Sequence, residues 1–143
     1  MPDTSRTLLG FDYGKKRIGV AVGQEITATA QPLVTVHRVQ DKPDWDHITR
    51  LLAQWKPDLL IIGEPTNMDG TENDMTRAAR RFANQLNGRY NLPTELVDER
   101  LTSMEAEEII TEQRRTGRMK KKSSKAALDQ VAAQLILQTW FYQ

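Results

Sequence analysis

The chain has 143 residues, 38% of them hydrophobic and 27% charged, which predicts one folded domain over residues 1–143. It has no cysteine, which excludes a disulfide framework, a thiolate metal site and a cysteine nucleophile. The net charge of +1 excludes a uniformly basic protein that coats nucleic acid, and no apolar stretch is long enough for a membrane span. The N-terminal residues show no signal-peptide pattern, so we expect a cytoplasmic protein without membrane association.

The N-terminal part of the chain predicts three strands and a helix. Residues 7–13 and 18–22 are apolar runs joined by the basic turn Gly14-Lys15-Lys16-Arg17, which is typical of a β-hairpin. Residues 28–39 are rich in β-branched side chains and predict a third strand. After Asp44, apolar residues at helical spacing predict a helix over residues 45–55.

Strands and helices alternate in the rest of the chain. Residues 58–63 are a continuous apolar run typical of a buried strand, and a helix is predicted from about residue 72 to 87, closed by Gly88. Residues 92–98 predict another strand, residues 103–110 a helix, and Ser123-Ser124 the cap of a last helix to about Trp140. The order β-β-β-α-β-α-β-α-α predicts an α/β fold, a mixed sheet with helices on both faces.

The last predicted helix carries a carboxylate on its apolar side. At 100° per residue, Asp129 falls within the same arc as Ala133 and Ile136. The predicted solvent face carries three glutamines, Gln130, Gln134 and Gln138. A buried carboxylate is costly unless it is paired or holds a metal ion, so Asp129 is a candidate metal ligand.

Other acidic residues follow the predicted strands. Asp12 ends the first strand, Asp98 and Glu99 end the last one, and Glu64 follows the fourth. Ligands of open α/β sheets gather at the carboxyl ends of strands, where these acids can meet Asp129. Side chains alternate along a strand, so we expect only one of Asp98 and Glu99 to face the site. Oxygen donors without cysteine or a histidine pair favour Mg²⁺ or Mn²⁺ over zinc.

Each acid also has a purely structural alternative. Asp12 is at a position where it can stabilise the following turn. Asp129 is one helical turn from Lys125, and Asp98 is close to Arg100, so both can form ordinary ion pairs. All three acids being structural is less probable than any one of them.

Basic residues flank the acids in the sequence. The segment from residue 114 to 125, RRTGRMKKKSSK, holds seven basic residues and no acid, and it leads into the helix of Asp129. We predict phosphate contacts, which give affinity without sequence information, and a solvated surface loop is the alternative. The predicted nucleic-acid-binding residues are Lys15, Lys16, Arg17, Arg114, Arg115, Arg118, Lys120, Lys121, Lys122 and Lys125.

Four motifs together resemble the YqgF (RuvX-like) family of Holliday-junction-resolvase-like nucleases in the RNase H superfamily. They are LLGFDYGKKRIGVAVG, PDLLIIGEPTNMDG, DERLTS and ALDQVAA, in the family's order and over nearly the whole chain. The resemblance implies a five-stranded RNase H-like fold and a divalent-metal site formed by Asp12, Glu99 and Asp129. It also implies a role in maturing the 5′ end of 16S ribosomal RNA. The family commonly has Gly-Leu-Pro where this chain has Gly63-Glu64-Pro65, which leaves open whether Glu64 is a fourth ligand.

The acids predict a Mg²⁺- or Mn²⁺-dependent nuclease that hydrolyses phosphodiester bonds. The resemblance implies pre-16S rRNA as its substrate, with the small ribosomal subunit as a candidate partner. One alternative is a resolvase of four-way DNA junctions, and another is a non-catalytic ribosome-associated RNA-binding protein. An actin-like ATPase is disfavoured because such enzymes clamp a nucleotide between two domains. The sequence does not distinguish a monomer from a weak homodimer.

Overall fold

The computed structural model describes residues 5–99, 112 and 125–142. The elements of these residues are β1 (Thr7–Tyr13), β2 (Arg17–Gln24), β3 (Thr29–Val39), β4 (Lys42–Pro43), α1 (Trp45–Trp55), β5 (Leu59–Glu64), α2 (Asp74–Tyr90), β6 (Thr94–Asp98) and α3 (Lys125–Phe141). The helix predicted at residues 103–110, the cap at Ser123-Ser124 and the basic residues from 114 to 122 lie outside the described part of the chain. In the part that is described, no helix has both the length and the apolar character needed to cross a membrane.

The strands form one mixed sheet in the order β4-β3-β2-β1-β5-β6. β1 pairs antiparallel with β2, and β2 with β3, as the predicted hairpin requires. β5 pairs parallel with β1 and with β6, so the carboxyl ends of β1, β5 and β6 lie at one edge of the sheet. Five strands were expected. The sixth, β4, is a two-residue strand paired with the end of β3, too short to give a periodic signal in the sequence.

Helices cover both faces of the sheet, which confirms the predicted architecture. Leu9 and Phe11 of β1 belong to the apolar cluster formed with α1 and α2. Leu8, one position out of phase, belongs to the cluster formed with α3. Gly10 also faces α3, where a Cβ would lie 2.6 Å from Cγ of Leu137. The alternation of side chains along β1 therefore assigns its even-numbered residues, including Asp12, to the α3 face.

Two predictions about the helices are wrong. α2 does not end at Gly88 but continues to Tyr90, and Asn91 forms its left-handed cap with φ of 53°. Asparagine adopts this conformation at lower cost than most residues, so it can replace glycine at a helix end. The glutamines of α3 do not form a simple solvent face, because Gln130 donates to Thr35 Oγ1 (2.8 Å) and Gln134 donates to the carbonyl of Ala30 (3.0 Å). α3 lies partly over β3, where its polar side chains satisfy groups of that strand.

Candidate metal-binding site and nucleic-acid surface

Three neighbouring strands bring Asp12 between two glycines on the α3 face of the sheet. Asp12 in β1 is paired with Gly19 in β2. On its other side, Phe11 pairs with Ile62 of β5, so the next residues along these parallel strands are Asp12 and Gly63. Because neither glycine has a side chain, there is space above the sheet on both sides of the Asp12 carboxylate. We call these three residues the glycine–aspartate row.

The other two predicted ligands occupy the space above the two glycines. A Cβ on Gly19 would overlap the backbone carbonyl of Asp129, and a Cβ on Gly63 would overlap Oε2 of Glu99. Asp129 therefore lies over Gly19, and the Glu99 carboxylate lies over Gly63. Glycine inside a strand often marks such a close approach, and this is the signal in the sequence that identifies Gly19 and Gly63 as residues of the site.

The pKa values of the three acids indicate that their charges are concentrated in a region shielded from water. Burial raises the pKa of Asp12 to about 7, and the charge of Asp129 adds to this rise. Burial also raises the pKa of Glu99 to about 8, with smaller contributions from Asp12 and Asp98. The pKa of Asp129 is raised by burial, while Arg17 and Lys125 oppose the rise. Asp12 therefore interacts with both of the other acids and lies at the centre of the group.

Arg17 is the cation in contact with Asp129. Its Nε donates a 2.6 Å hydrogen bond to Oδ2 of Asp129, and about a quarter or less of each side chain is exposed. The sequence suggested Lys125 as the structural partner of Asp129 and assigned Arg17 to phosphate binding. The structure instead gives Arg17 a partner within the protein, while Lys125 contributes only through its charge.

Asp12 does not act as a turn former. The turn after β1 is closed by a backbone hydrogen bond from the Gly14 amide to the Arg17 carbonyl (3.1 Å) and by Arg38, which donates to the carbonyl of Gly14 (2.9 Å). Across the described residues, the Asp12 carboxylate makes no hydrogen bond. A structural role in the turn therefore does not explain the acid at this position.

Glu64 and Asp98 lie on the other face of the sheet. They are paired across β5 and β6, while their neighbours Gly63 and Val97 face α3. Glu64 accepts a 2.7 Å hydrogen bond from Nε of Arg80 in α2, on the face covered by α1 and α2. The structure therefore does not bring Glu64 to Asp12, and of Asp98 and Glu99 it is Glu99 that reaches the α3 face.

Substitution of Glu64 should separate these two faces experimentally. We expect Glu64→Gln to leave Mn²⁺ affinity unchanged, because its carboxylate is bound to Arg80 on the opposite face. Glu99→Gln should weaken Mn²⁺ binding by about tenfold or more, since a ligand matters at least as much as its supporting hydrogen bonds. Isothermal titration of both variants with MnCl₂ measures the difference. Equal losses in both variants would contradict this assignment.

The donor set fits a hard divalent cation, although its members do not form a finished metal site. Over residues 5–99, 112 and 125–142, no three acidic, histidine or cysteine side chains are arranged as a cluster that would hold a metal ion. The three acids nevertheless supply only oxygen donors, which Mg²⁺ and Mn²⁺ prefer. Burial is the main cause of their raised pKa values, and the two glycines allow Asp129 and Glu99 to approach the sheet on either side of Asp12.

Exposed cations are close to these acids in the sequence. Lys15 and Lys16 are exposed on the turn between β1 and β2, and Lys125 is exposed at the first residue of α3. Tyr13 is partly buried and packs against the core, where its ring lies 4.7 Å from that of Phe82 and its hydroxyl accepts a hydrogen bond from Arg38. The phosphate-binding role of the lysines stays a prediction.

The raised pKa values give the free energy of unfolding a definite pH dependence. The folded protein binds more protons than the unfolded chain between the unfolded carboxyl pKa, near 4, and the folded values of about 7 and 8. The contribution of these acids to stability is therefore greatest at low pH and is lost as the pH rises through that window. Urea unfolding in chelator at about pH 5 and about pH 8 should show this loss, and Asp12→Asn should reduce it. An equal pH dependence in the variant would contradict the assignment.

The sheet order and the helices on both faces of the sheet are those of an RNase H-like fold. T. thermophilus RuvC in complex with Holliday junction substrate shares this fold with a TM-score of 0.56 and 17% identity, covering 96% of this chain and 94% of that chain. The Fowlpox virus resolvase bound to Holliday junction DNA has a TM-score of 0.57 and 11% identity. The match covers 95% of this chain and 97% of the resolvase chain. The family RuvX, described as Holliday junction resolvase, matches residues 6–143, and the chain belongs to this family.

Curated relatives match over nearly the whole chain. A protein of Nitrosococcus oceani named "Putative pre-16S rRNA nuclease" is 51% identical over 140 residues, which are 97% of this chain and 88% of the relative. A protein of the same name from Saccharophagus degradans is 48% identical over 140 residues, which are 98% of this chain and 96% of the relative. These matches confirm the resemblance that the four sequence motifs indicated.

Proposed function

We propose that the chain is a single-domain, divalent-metal-dependent nuclease that hydrolyses phosphodiester bonds. The observation that carries the proposal is the gathering of Asp12, Glu99 and Asp129, from β1, the end of β6 and α3, on one face of the glycine–aspartate row. Membership of the RuvX family supports the same activity.

Asp12, Glu99 and Asp129 are the residues that would hold Mg²⁺ or Mn²⁺. Such a cation supplies water activation at neutral pH and stabilises negative charge on the phosphate. The contribution of the chain is to keep three carboxylates in a region that burial makes unfavourable for their charges. This arrangement raises the affinity of the three carboxylates for a cation, because a bound cation offsets the cost of burying their charges and their repulsion of one another.

The neighbouring basic residues would bind the nucleic-acid backbone. Lys15 and Lys16 are on the turn that directly follows the strand of Asp12, so a phosphate bound there would be close to the Asp12 end of that strand. Phosphate contacts of this kind provide affinity and register without reading the base sequence. The specificity of the enzyme would then come from the shape of its substrate or from a partner.

The expected substrate is pre-16S rRNA, in a cytoplasmic step of ribosome biogenesis that involves the small subunit. The names of the relatives support RNA, since they describe pre-16S rRNA nucleases at about half identity over the full chain. Two of the similar structures hold a Holliday junction, which supports a second candidate, cleavage of four-way DNA junctions. Junction cleavage would require a dimer for symmetric cutting, whereas RNA processing is compatible with a monomer or a weak homodimer.

A cleavage assay with two substrates separates these functions. An end-labelled RNA that carries the extended 5′ end of 16S rRNA and a four-way DNA junction are incubated with Mn²⁺, Mg²⁺ or chelator. We expect metal-dependent cutting of the RNA by the wild type and none by Asp12→Asn. Cutting of the junction alone would establish the resolvase instead. Salt-sensitive RNA binding without cutting of either substrate, also in the presence of small ribosomal subunits, would favour a non-catalytic RNA-binding protein.

A further inference from the structure

Arg17 connects a predicted metal ligand to the predicted phosphate-binding turn. It is the first residue of β2 and directly follows the exposed Lys15 and Lys16. Its side chain extends over the α3 face, where Nε bonds Oδ2 of Asp129 at 2.6 Å. These two residues are 112 positions apart in the chain, so the ion pair is a tertiary contact between the β1–β2 turn and the start of α3.

Only one edge of the Arg17 guanidinium is used in this contact. Guanidinium has five N–H donors in a fixed plane, and carboxylates commonly occupy two of them. Here Nε alone donates to Asp129, and Nη1 and Nη2 make no hydrogen bond to any residue that the structure describes. These groups lie next to a turn that carries two further cations. They are therefore suited to a phosphate oxygen.

The same ion pair opposes cation binding at Asp129. Arg17 neutralises one of the three carboxylates and places a positive charge beside the acids. A cation can bind Oδ2 of Asp129 only if it displaces the hydrogen bond that Arg17 donates to this oxygen. The net effect of Arg17 on a bare divalent cation is thus unfavourable.

We propose that Arg17 couples nucleic-acid binding to cation binding, because it competes with a divalent cation for Asp129 until a backbone phosphate engages its free guanidinium edge. This inference rests on the proposed metal site of Asp12, Glu99 and Asp129. The phosphate compensates the charge of Arg17, which weakens the hydrogen bond of Arg17 to Asp129 and frees that carboxylate for the cation. By thermodynamic linkage, the cation then strengthens phosphate binding by the same factor. Cations would thus bind weakly to the free protein and firmly once nucleic acid is present.

Mn²⁺ titration of the protein without nucleic acid tests the competition directly. We expect Arg17→Gln to bind Mn²⁺ about fivefold or more tightly than the wild type, the lower range of typical coupling between sites. The effect should vanish in the Asp129→Asn background, since Arg17 acts through that carboxylate. Arg6→Gln is the matched control, because it removes a comparable ion pair with Glu25 elsewhere in the protein and should leave Mn²⁺ affinity unchanged.

The second readout is the affinity for a short single-stranded RNA, measured by fluorescence anisotropy with and without Mn²⁺. Mn²⁺ should strengthen RNA binding by the wild type and by Lys16→Gln, and should have less influence on Arg17→Gln. If Arg17→Gln does not fold, Arg17→Lys provides the test. Its Mn²⁺ affinity should be higher than that of the wild type, by less than the roughly fivefold increase expected for Arg17→Gln.

The outcomes distinguish this inference from the proposed function. Absence of Mn²⁺ binding in both the wild type and Arg17→Gln, or Mn²⁺ binding that Asp12→Asn leaves unchanged, would refute the metal site itself. Mn²⁺ binding by the wild type combined with equal or weaker binding by Arg17→Gln would refute the competition and leave the nuclease intact. An equal effect of Arg17→Gln with and without Asp129 would also overturn the inference, because Arg17 would then act by charge alone.

Discussion

Replacement of Asp12 by asparagine should abolish phosphodiester cleavage and make the protein more resistant to heat. Asp12 is the central acid of the three, since its charge raises the pKa of Glu99 and the charge of Asp129 raises its own. Asparagine has the same shape but removes the negative charge that a cation requires. Mutations usually lower stability. A variant that loses cleavage activity but gains thermal stability would therefore show that Asp12 serves function at a cost in stability.

The expected magnitudes follow from the two roles of the carboxylate. Loss of several kcal/mol of charge stabilisation in the transition state corresponds to a decrease in the cleavage rate of about a thousandfold or more. In chelator at about pH 8, removal of a buried charge whose pKa is about 7 should raise the melting temperature by ~3 °C or more. Rates on labelled RNA and differential scanning calorimetry give the two values.

Asp46→Asn is the matched control for this experiment. Asp46 is an exposed acid in the first turn of α1, on the face of the sheet opposite to α3. The same change of charge at that position should leave the cleavage rate unchanged. Retention of metal-dependent cleavage by Asp12→Asn would mean that Asp12 is not a ligand of the catalytic cation.

Gly19→Ala should destabilise the protein and weaken its metal site at the same time. The added methyl group would overlap the backbone carbonyl of Asp129. Backbone atoms of a helix cannot rotate aside as a side chain can, so the first turn of α3 must move away from β2. Overpacking of this kind costs about 1–3 kcal/mol. Movement of Asp129 away from Asp12 should also lower Mn²⁺ affinity, which a titration of the folded variant would measure.

Gly88→Ala provides a control, because this glycine substitution should raise the free energy of unfolding rather than lower it. Gly88 lies inside α2, and a Cβ there would meet no atom within 4 Å. Alanine in a helix interior is favoured over glycine by about 0.5–1 kcal/mol, so this variant should be more stable than the wild type. Urea unfolding of both variants gives the comparison. If Gly19→Ala unfolds at the same urea concentration as the wild type, α3 does not rest on Gly19 as described.

The sequence by itself determined the elements and the edge of the sheet where the acids lie. Alternating and continuous apolar runs predicted the five longer strands, because burial on one or both faces of a sheet imposes those patterns locally. The position of Asp12 at the end of β1 and of Glu99 after β6 placed both at the carboxyl edge. The phase of the last helix placed Asp129 on a side that packs against the sheet. Each of these inferences depends on neighbours within a few residues along the chain.

Only the tertiary structure decided which acids share a face and which cation meets them. Alternation separates Glu64 from Gly63, but the packing of α3 against the side of Gly63 is what excludes Glu64 from the group. The contact of Arg17 with Asp129 and the hydrogen bonds of the α3 glutamines to β3 join residues 95 to 112 positions apart in the sequence. Local patterns carry no information about such pairs, because they depend on how the elements pack and on which buried charges require a partner.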